Sequence, residues 1–466
     1  MKCIQLIPIL ALALPLCLAE NYEQGLVVTP RKAELQIKRG NEVLATARAG
    51  DKLTILRSKG SWVGVKFGDK RGWVKAADVR PLAKPTSQTP RVATAQASSA
   101  VAKGDWPYYR GPNFNGIIDE ELTLLTEPEK VWETEVPCVG WSSLTIGKGR
   151  AYTFGRKGGI FCLDAKTGKQ IWNHATNSHS GESTPVIAAD RVFLLSQTEH
   201  PIAWSFDAAT GKVIWKKDLP ASTQTRNWGH SGSPRVWQDL VFFSAGHGAA
   251  LRQTDGETVW SHEGFSGMAT PVVFDWKGKP SVALFVGQKM IARDARTGSQ
   301  LFEIPWETKH GVNACDPIFF DNRVFLCSGY GLGRALYDIS DEQPKELWNI
   351  LKESGGGHSY STGIYHQKSL VAFTGWGLRV LNTEDGKAMK GFGNAQTVLL
   401  AGDKLILLDG EGKLQAGVFS TTGFTPTLSG TILSGQVWNV PAYSNGHLYA
   451  RNKKGTVVCY KIGNVN

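Results

Sequence analysis

The feature that most constrains this chain is a unit that recurs along residues 105–466. Its clearest copy reads Gly-Arg-Ala-Tyr-Thr-Phe at 149–154, a turn, and then Ile-Phe-Cys-Leu-Asp-Ala-Lys-Thr-Gly-Lys-Gln-Ile-Trp at 160–172. A second copy runs Asp-Arg-Val-Phe-Leu-Leu at 190–195 and Ala-Trp-Ser-Phe-Asp-Ala-Ala-Thr-Gly-Lys-Val-Ile-Trp at 203–215. Weaker copies follow at 239–260, 281–302, 322–348, 369–386, 403–412 and 446–460. Each reads as four short strands. The Asp and the Thr-Gly form the tight turn between the third and fourth strands: the Gly takes a left-handed backbone and the carboxylate accepts turn amides. The Trp that follows packs between neighbouring sheets. A lone four-stranded sheet cannot bury both faces, whereas a ring of them can, so the repeat predicts a closed radial array.

Closure has its own signal. The last copy lacks a fourth strand, while Glu-Lys-Val-Trp-Glu-Thr-Glu at 129–135 is a strand without a sheet ahead of the first copy. Pairing the two closes the ring and removes its free edges. Eight copies are counted. Because those beyond Trp348 are degenerate, the fold class is all-β, an eight-bladed β-propeller with a seven-bladed alternative. Abundant Gly (52) and Trp (16) fit short strands joined by tight turns.

The unit resembles the PQQ-like repeat, with its Ala-x-Asp-x-x-Thr-Gly-x-x-x-Trp signature. Residues 162–172 and 205–215 match it with Cys162 and Ser205 in the leading position, and 294–302 match in part. Asp-Trp-Pro-Tyr-Tyr-Arg-Gly-Pro-Asn-Phe-Asn-Gly at 105–116 resembles the leading segment of secreted propellers of this kind. Fold alone does not give function. The resemblance implies two classes. One is the quinoprotein dehydrogenases, which use PQQ, calcium, a catalytic Asp and usually a vicinal Cys pair. The other is the non-catalytic propeller of the outer-membrane assembly machinery.

Ahead of the repeats, residues 1–19 read as a signal peptide: Lys2, an apolar run over 4–18, and small residues that place cleavage after Ala19. The run is short for a membrane span, none follows, and Leu16 disfavours lipidation of Cys17. Residues 27–82 form a second unit of short alternating runs punctuated by Gly-Asp and Lys-Gly turns. It resembles bacterial SH3-like β-barrels in the turn before Leu53, in Gly60-Ser61-Trp62 and in Gly72-Trp73-Val74; it lacks that family's Asn-Val-Arg-Ser-Gly-Pro segment. It carries thirteen Lys or Arg against five Asp or Glu, a net +8 out of +11 for the chain. A domain this basic is drawn to polyanions or an anionic envelope. Residues 83–104, rich in Pro, Ser, Thr, Gln and Ala, read as a disordered linker.

The loops entering the innermost strands gather at one mouth of a propeller channel. Here they carry Trp141, His179, Glu182, Arg226, Trp228, His230, His310, Asn313, Asp316, His358, Tyr360, Trp438 and Asn439. Convergent polar groups with aromatic walls suit a small-ligand pocket. The plainer reading is that such residues let strands crowd an axis and satisfy its amides. No catalytic residue and no metal site is assigned, since the four His lie on separate repeats and no CxxC or CxxCH occurs. Five Cys remain after the leader, read mostly as small buried apolar residues, with Cys315 and Cys327 flanking one hairpin. The expectation is a secreted or periplasmic monomer without catalysis that binds envelope proteins or an anionic cell-wall polymer. Neither nucleic acid nor a cofactor is expected, and PQQ with calcium, or a carbohydrate or peptide ligand, is the alternative.

Overall fold

A computed structural model describes residues 27–30, 34–48, 51–59, 61–81, 101–220, 230–308, 311–329, 333–351, 361–374, 377–393, 395–420 and 423–465. The expected signal peptide lies outside the described residues, as does most of the expected linker. The chain divides into two compact units, 1–88 and 89–466.

The first unit is a seven-stranded sheet around its own core. Short Val27–Pro30 and Val79–Pro81 pair with each other and bring the sheet to seven strands. Val28, Ile37, Leu53, Ile55, Val63 and Val65 fill the interior, as the alternation in the strands requires. Arg57 lies over the Trp73 ring and Lys75 over Trp62, so part of the basic charge rests on aromatic faces.

The second unit contains eight sheets; six are four-stranded antiparallel meanders in chain order, and the last two each take one strand from ahead of the repeats. They are numbered here as blades 1 to 8: 145–174, 186–218, 235–261, 272–305, 318–351, 364–391, 397–431, and 442–465 with Leu122–Glu135. Their first strands surround the axis. Thr145–Gly147 of blade 1 neighbours Ala442–Ser444 of blade 8, which closes the ring at eight. Leu122–Glu135 pairs antiparallel with Thr456–Val465, with Trp132 opposite Cys459. The orphan strand therefore completes the last blade.

The repeat's turn chemistry is realised atom by atom. Asp164 Oδ1 accepts from the amides of Lys166 and Thr167 and from the Thr167 hydroxyl, and Asp207 repeats this with Ala209 and Thr210. In blades 1, 2, 3 and 5 the fourth-strand Trp then reaches the turn of the next blade. Trp172 Nε1 donates to Ala208 O at 3.1 Å, Trp215 to Gln253 O at 2.9 Å, Trp260 to Ala295 O at 3.1 Å and Trp348 to Thr383 O at 2.9 Å. Blade 4 ends in Phe302, which has no donor. There Trp276, from the blade's first hairpin, donates to Ile339 O at 2.8 Å instead.

One part of the chain has a role that the repeat does not encode. The segment 105–118 runs through the channel among the first strands. Trp106 pairs with Ile146 of blade 1, and Ile187 N of blade 2 donates to Pro107 O. Arg110 Nη2 donates to Gly363 O beside blade 6. Ile117–Ile118 adds a parallel fifth strand to blade 7 against Leu400 and Ala401. The chain's own leading segment thus enters the channel and is fastened to blades 1, 2, 6 and 7.

Candidate functional site

In blades 1 to 6 the residue two positions before the first strand builds a hydrogen-bonded belt around the axis. Ser143 N donates to Thr184 Oγ1 at 3.0 Å, Thr184 N to Ser233 Oγ at 3.0 Å, and Ser233 N to Thr270 Oγ1 at 3.4 Å. Thr270 N donates to Asp316 Oδ1 at 2.8 Å, and Asp316 N to Thr362 Oγ1 at 2.8 Å. Each link crosses from one blade to the next. The belt satisfies amides that crowding around the axis would otherwise leave buried and unpaired. Asp316 is the one carboxylate among these six residues; the others are Ser or Thr.

Several residues singled out from sequence belong to this fastening. Asn439 Nδ2 donates to Ser142 O at 3.1 Å and ties blade 8 to blade 1. Asn313 is fully buried, donating to Val286 O and Trp306 O and accepting from Ser328 Oγ. Trp141 and Trp438 lie face to face, with ring centroids 5.1 Å apart and planes 11° from parallel, and Lys453 covers Trp141 at 4.6 Å. Their ring faces serve each other rather than forming two open platforms.

Glu182 and His230 come near each other through Ser180. Its hydroxyl donates to Glu182 Oε2 at 2.8 Å and lies 3.5 Å from His230 O. Gly181 N also donates to Glu182 Oε2, at 2.6 Å. Burial raises the Glu182 carboxyl above its ordinary range, opposed by these hydrogen bonds and by Arg156. Burial lowers the His230 imidazole to about 4, so the ring is neutral at pH 7. Contact with Ser180 runs through the His230 carbonyl, so these three residues do not form a nucleophile–base pair. His179 is exposed at the rim. Arg226, Trp228, His310, His358 and Tyr360 lie outside the described residues.

Two buried charges near Asp316 escaped the sequence reading. Arg110 and Arg235 are 3% and 1% exposed, and both stand within the electrostatic reach of Asp316. The signal for Arg235 was present: the corresponding positions of blades 2, 4, 5 and 6 hold Val186, Val272, Ile318 and Ile364. A lone charge at a channel position that holds Val, Ile, Thr or Ala in the other blades marks a departure from the repeat. Desolvation pushes Asp316 up to about 6 and Arg235 down to about 9.

A cavity of about 620 Å³ lies at the opposite end of the first strands, beside the leading segment. Asp105, Trp106, Asp119, Glu120 and Tyr443 help to line it. Tyr443 Oη donates to Glu120 Oε2 at 2.9 Å, and Asn113 Nδ2 to Asp119 Oδ2 at 2.8 Å. Asp105, Asp119 and Glu120 sit close to Trp106 and Tyr443 in sequence or space, an acidic patch on a basic chain. The sequence reading placed its ligand pocket at the other mouth. Among the described residues no group of three or more His, Cys, Asp or Glu is placed to hold a metal ion.

The chain resembles several curated proteins over part of its length. It is 24% identical over 257 residues to a tetrathionate hydrolase of Acidithiobacillus ferrooxidans, covering 50% of this chain and 48% of that protein. It is 27% identical over 214 residues to the outer membrane protein assembly factor BamB of Nitrosomonas eutropha, covering 43% and 49%. A polyvinylalcohol dehydrogenase of Sphingopyxis is 26% identical over 194 residues, covering 37% and 27%. The chain spans about half or less of the length of these relatives. Among solved structures, BamB from Moraxella catarrhalis aligns with a TM-score of 0.53 at 14% identity, covering 71% of this chain and 98% of that one. The quinohemoprotein alcohol dehydrogenase of Comamonas testosteroni aligns with a TM-score of 0.58 at 12% identity, covering 81% and 85%. These structural likenesses show the propeller fold. The profile described as outer membrane protein assembly factor BamB matches residues 119–263 and 202–379, more than half of the chain, and on that ground the chain belongs to this PQQ-like repeat family.

Proposed function

We propose that this chain is a non-catalytic extracytoplasmic binding or scaffold protein, in which the propeller engages protein partners and the basic SH3-like unit engages the anionic envelope. The observation that carries this reading is the occupied channel. Trp106 pairs with blade 1, Arg110 donates to Gly363 O at 2.6 Å, and Leu400 N donates to Gly116 O at 2.9 Å, so the axis is built as core by residues 105–118. That leaves the outer surface and loops for recognition. The family profile, described for an assembly factor, points the same way.

The second reading, a quinoprotein oxidoreductase, draws on the dehydrogenases among the relatives. The residues present do not fit a flat quinone. Trp141 and Trp438 stack on each other with Lys453 over Trp141, and the belt donors and acceptors are spent on neighbouring blades. No reaction step is assigned through such a group.

Titration of the purified mature protein with PQQ and calcium, followed by calorimetry and by dye reduction with alcohols, tests the choice. The expected result is neither saturable binding nor turnover. Micromolar binding with turnover would overturn the scaffold reading. Retention on anionic vesicles tests the basic unit: it is expected to weaken as salt rises and to vanish when residues 27–82 are deleted.

A further inference from the structure

The channel holds an unbalanced set of buried charges. Arg235 opens the first strand of blade 3, and its guanidinium carbon lies over the Phe114 ring, 3.3 Å from the centroid. Its Nε is sealed from solvent without an acceptor, and so is Nε of Arg110. Arg110 spends Nη2 on Gly363 O and Asn115 O. Asp316 is the carboxylate near both, yet no ion pair within 4.0 Å joins it to either, and its Oδ1 is taken by Thr270 N. Two guanidiniums therefore lie within reach of one carboxylate, which is still ionised at pH 7 with a pKa of about 6.

Residues that hold this arrangement are strained. Arg110 and Phe114 both adopt left-handed backbone, with φ of 63° and 55°. Phe114 also stacks on Tyr108, centroids 4.4 Å apart and planes 8° from parallel. Non-glycine residues are disfavoured in this region and persist where the surroundings enforce them. Here the strain aims one cation into the channel and places an aromatic face under the other.

We infer that the channel beside Arg235 and Arg110 binds a small monovalent carboxylate, which is the missing counter-charge. Water satisfies N–H donors but leaves the net charge in place, whereas an anion supplies both acceptors and charge. A planar guanidinium fork matches a carboxylate with two parallel hydrogen bonds. Two cations against Asp316 leave a surplus of one charge, which a monoanion neutralises and a dianion overshoots. The bound anion holds Arg235 against Phe114 and so fastens the leading segment in the channel. This site is independent of whether the protein acts as a scaffold.

The test is thermal unfolding of the mature protein during a formate titration, with ionic strength held constant by a bulky organic sulfonate, and chloride and phosphate run in parallel. Formate is expected to raise Tm saturably and to slow amide exchange in residues 105–118 by about tenfold. Arg235→Gln should abolish both effects. If Arg235→Gln does not fold, exchange in the unaltered protein decides: protection confined to 105–118 and 233–237 supports the site, and protection elsewhere overturns it. A response that never saturates, a response that survives Arg235→Gln, or one given by chloride or phosphate with formate inert would each overturn the proposal.

Discussion

Trp132 Nε1 donates to the carbonyl of Ala165 at 3.0 Å, and the two residues belong to the last and the first blade. The bond repeats, at the ring's seam, the link that Trp172 makes to Ala208 within the ring. Arg451 reinforces the seam, donating to Thr153 Oγ1, Phe154 O and Cys138 O of blade 1 and its preceding loop. The seam is therefore built with the same parts as any other blade boundary.

Substitution at the seam should be graded. Trp132→Phe removes one hydrogen bond and is expected to cost about 1 kcal/mol. Trp132→Ala also empties the space between blades 8 and 1 and should cost about 3–5 kcal/mol. Urea unfolding measured on both variants checks this. Equal losses would mean that the indole N–H, rather than packing, dominates.

Two turn glycines separate backbone strain from packing. Gly149 and Gly211 have φ of 74° and 73°, but an added Cβ meets nothing within 4 Å at Gly149 and the Trp172 ring at 2.6 Å at Gly211. Gly149→Ala should cost about 1 kcal/mol from left-handed strain alone. Gly211→Ala should add about 1–3 kcal/mol, because the ring that seals blade 1 to blade 2 must move. Paired denaturation midpoints give the difference directly.

Asp316 should leave a pH signature. Its folded pKa is raised to about 6 from 3.8, so the folded state holds this proton more tightly than the unfolded state. The stabilisation from that proton is present below the unfolded value and is lost as pH rises towards 6. Asp316→Asn keeps an oxygen for Thr270 N but removes the titration. Between pH 4 and 6 the unaltered protein should lose stability relative to this variant, by about 1–3 kcal/mol. A constant gap between the two curves across that range would refute the assignment.

Cysteine reactivity follows burial. Cys138, Cys162, Cys315 and Cys459 are buried and in no disulfide, and burial pushes Cys162 and Cys459 up to about 12. The thiolate is the reactive form, so native protein should resist iodoacetamide at these four positions and react fully once unfolded. Mass mapping after a native pulse reads this out. Rapid labelling of Cys162 would show that blade 1 opens locally.

The short-range parts of this fold were legible because they depend on local chemistry. The carboxylate of Asp164, the φ of Gly168 and the indole of Trp172 sit within nine residues, and their spacing predicts a turn and a sheet edge wherever it recurs. The unpaired strand around Trp132 was legible for the same reason, since a repeat short of one strand names what it lacks.

The site was less legible, because its members come from different blades. Trp141 and Trp438 are aromatic in sequence, but their mutual stacking exists only once blade 8 meets blade 1. Asp316 looks like a candidate acid by type, yet it sits in the amide belt, where its neighbours use Ser or Thr. The leading segment resembled that of other propellers, without any indication that it enters the channel.

Sequence by itself determined the strands, the turns and the closed ring, because hydrogen bonding and hydrophobic burial act within each repeat and between adjacent ones. Only the tertiary structure decided what lies on the axis. Which charges meet there depends on where residues 105–118 thread among eight blades, and no local spacing encodes the position of Arg110 and Phe114 beside Arg235 and Asp316.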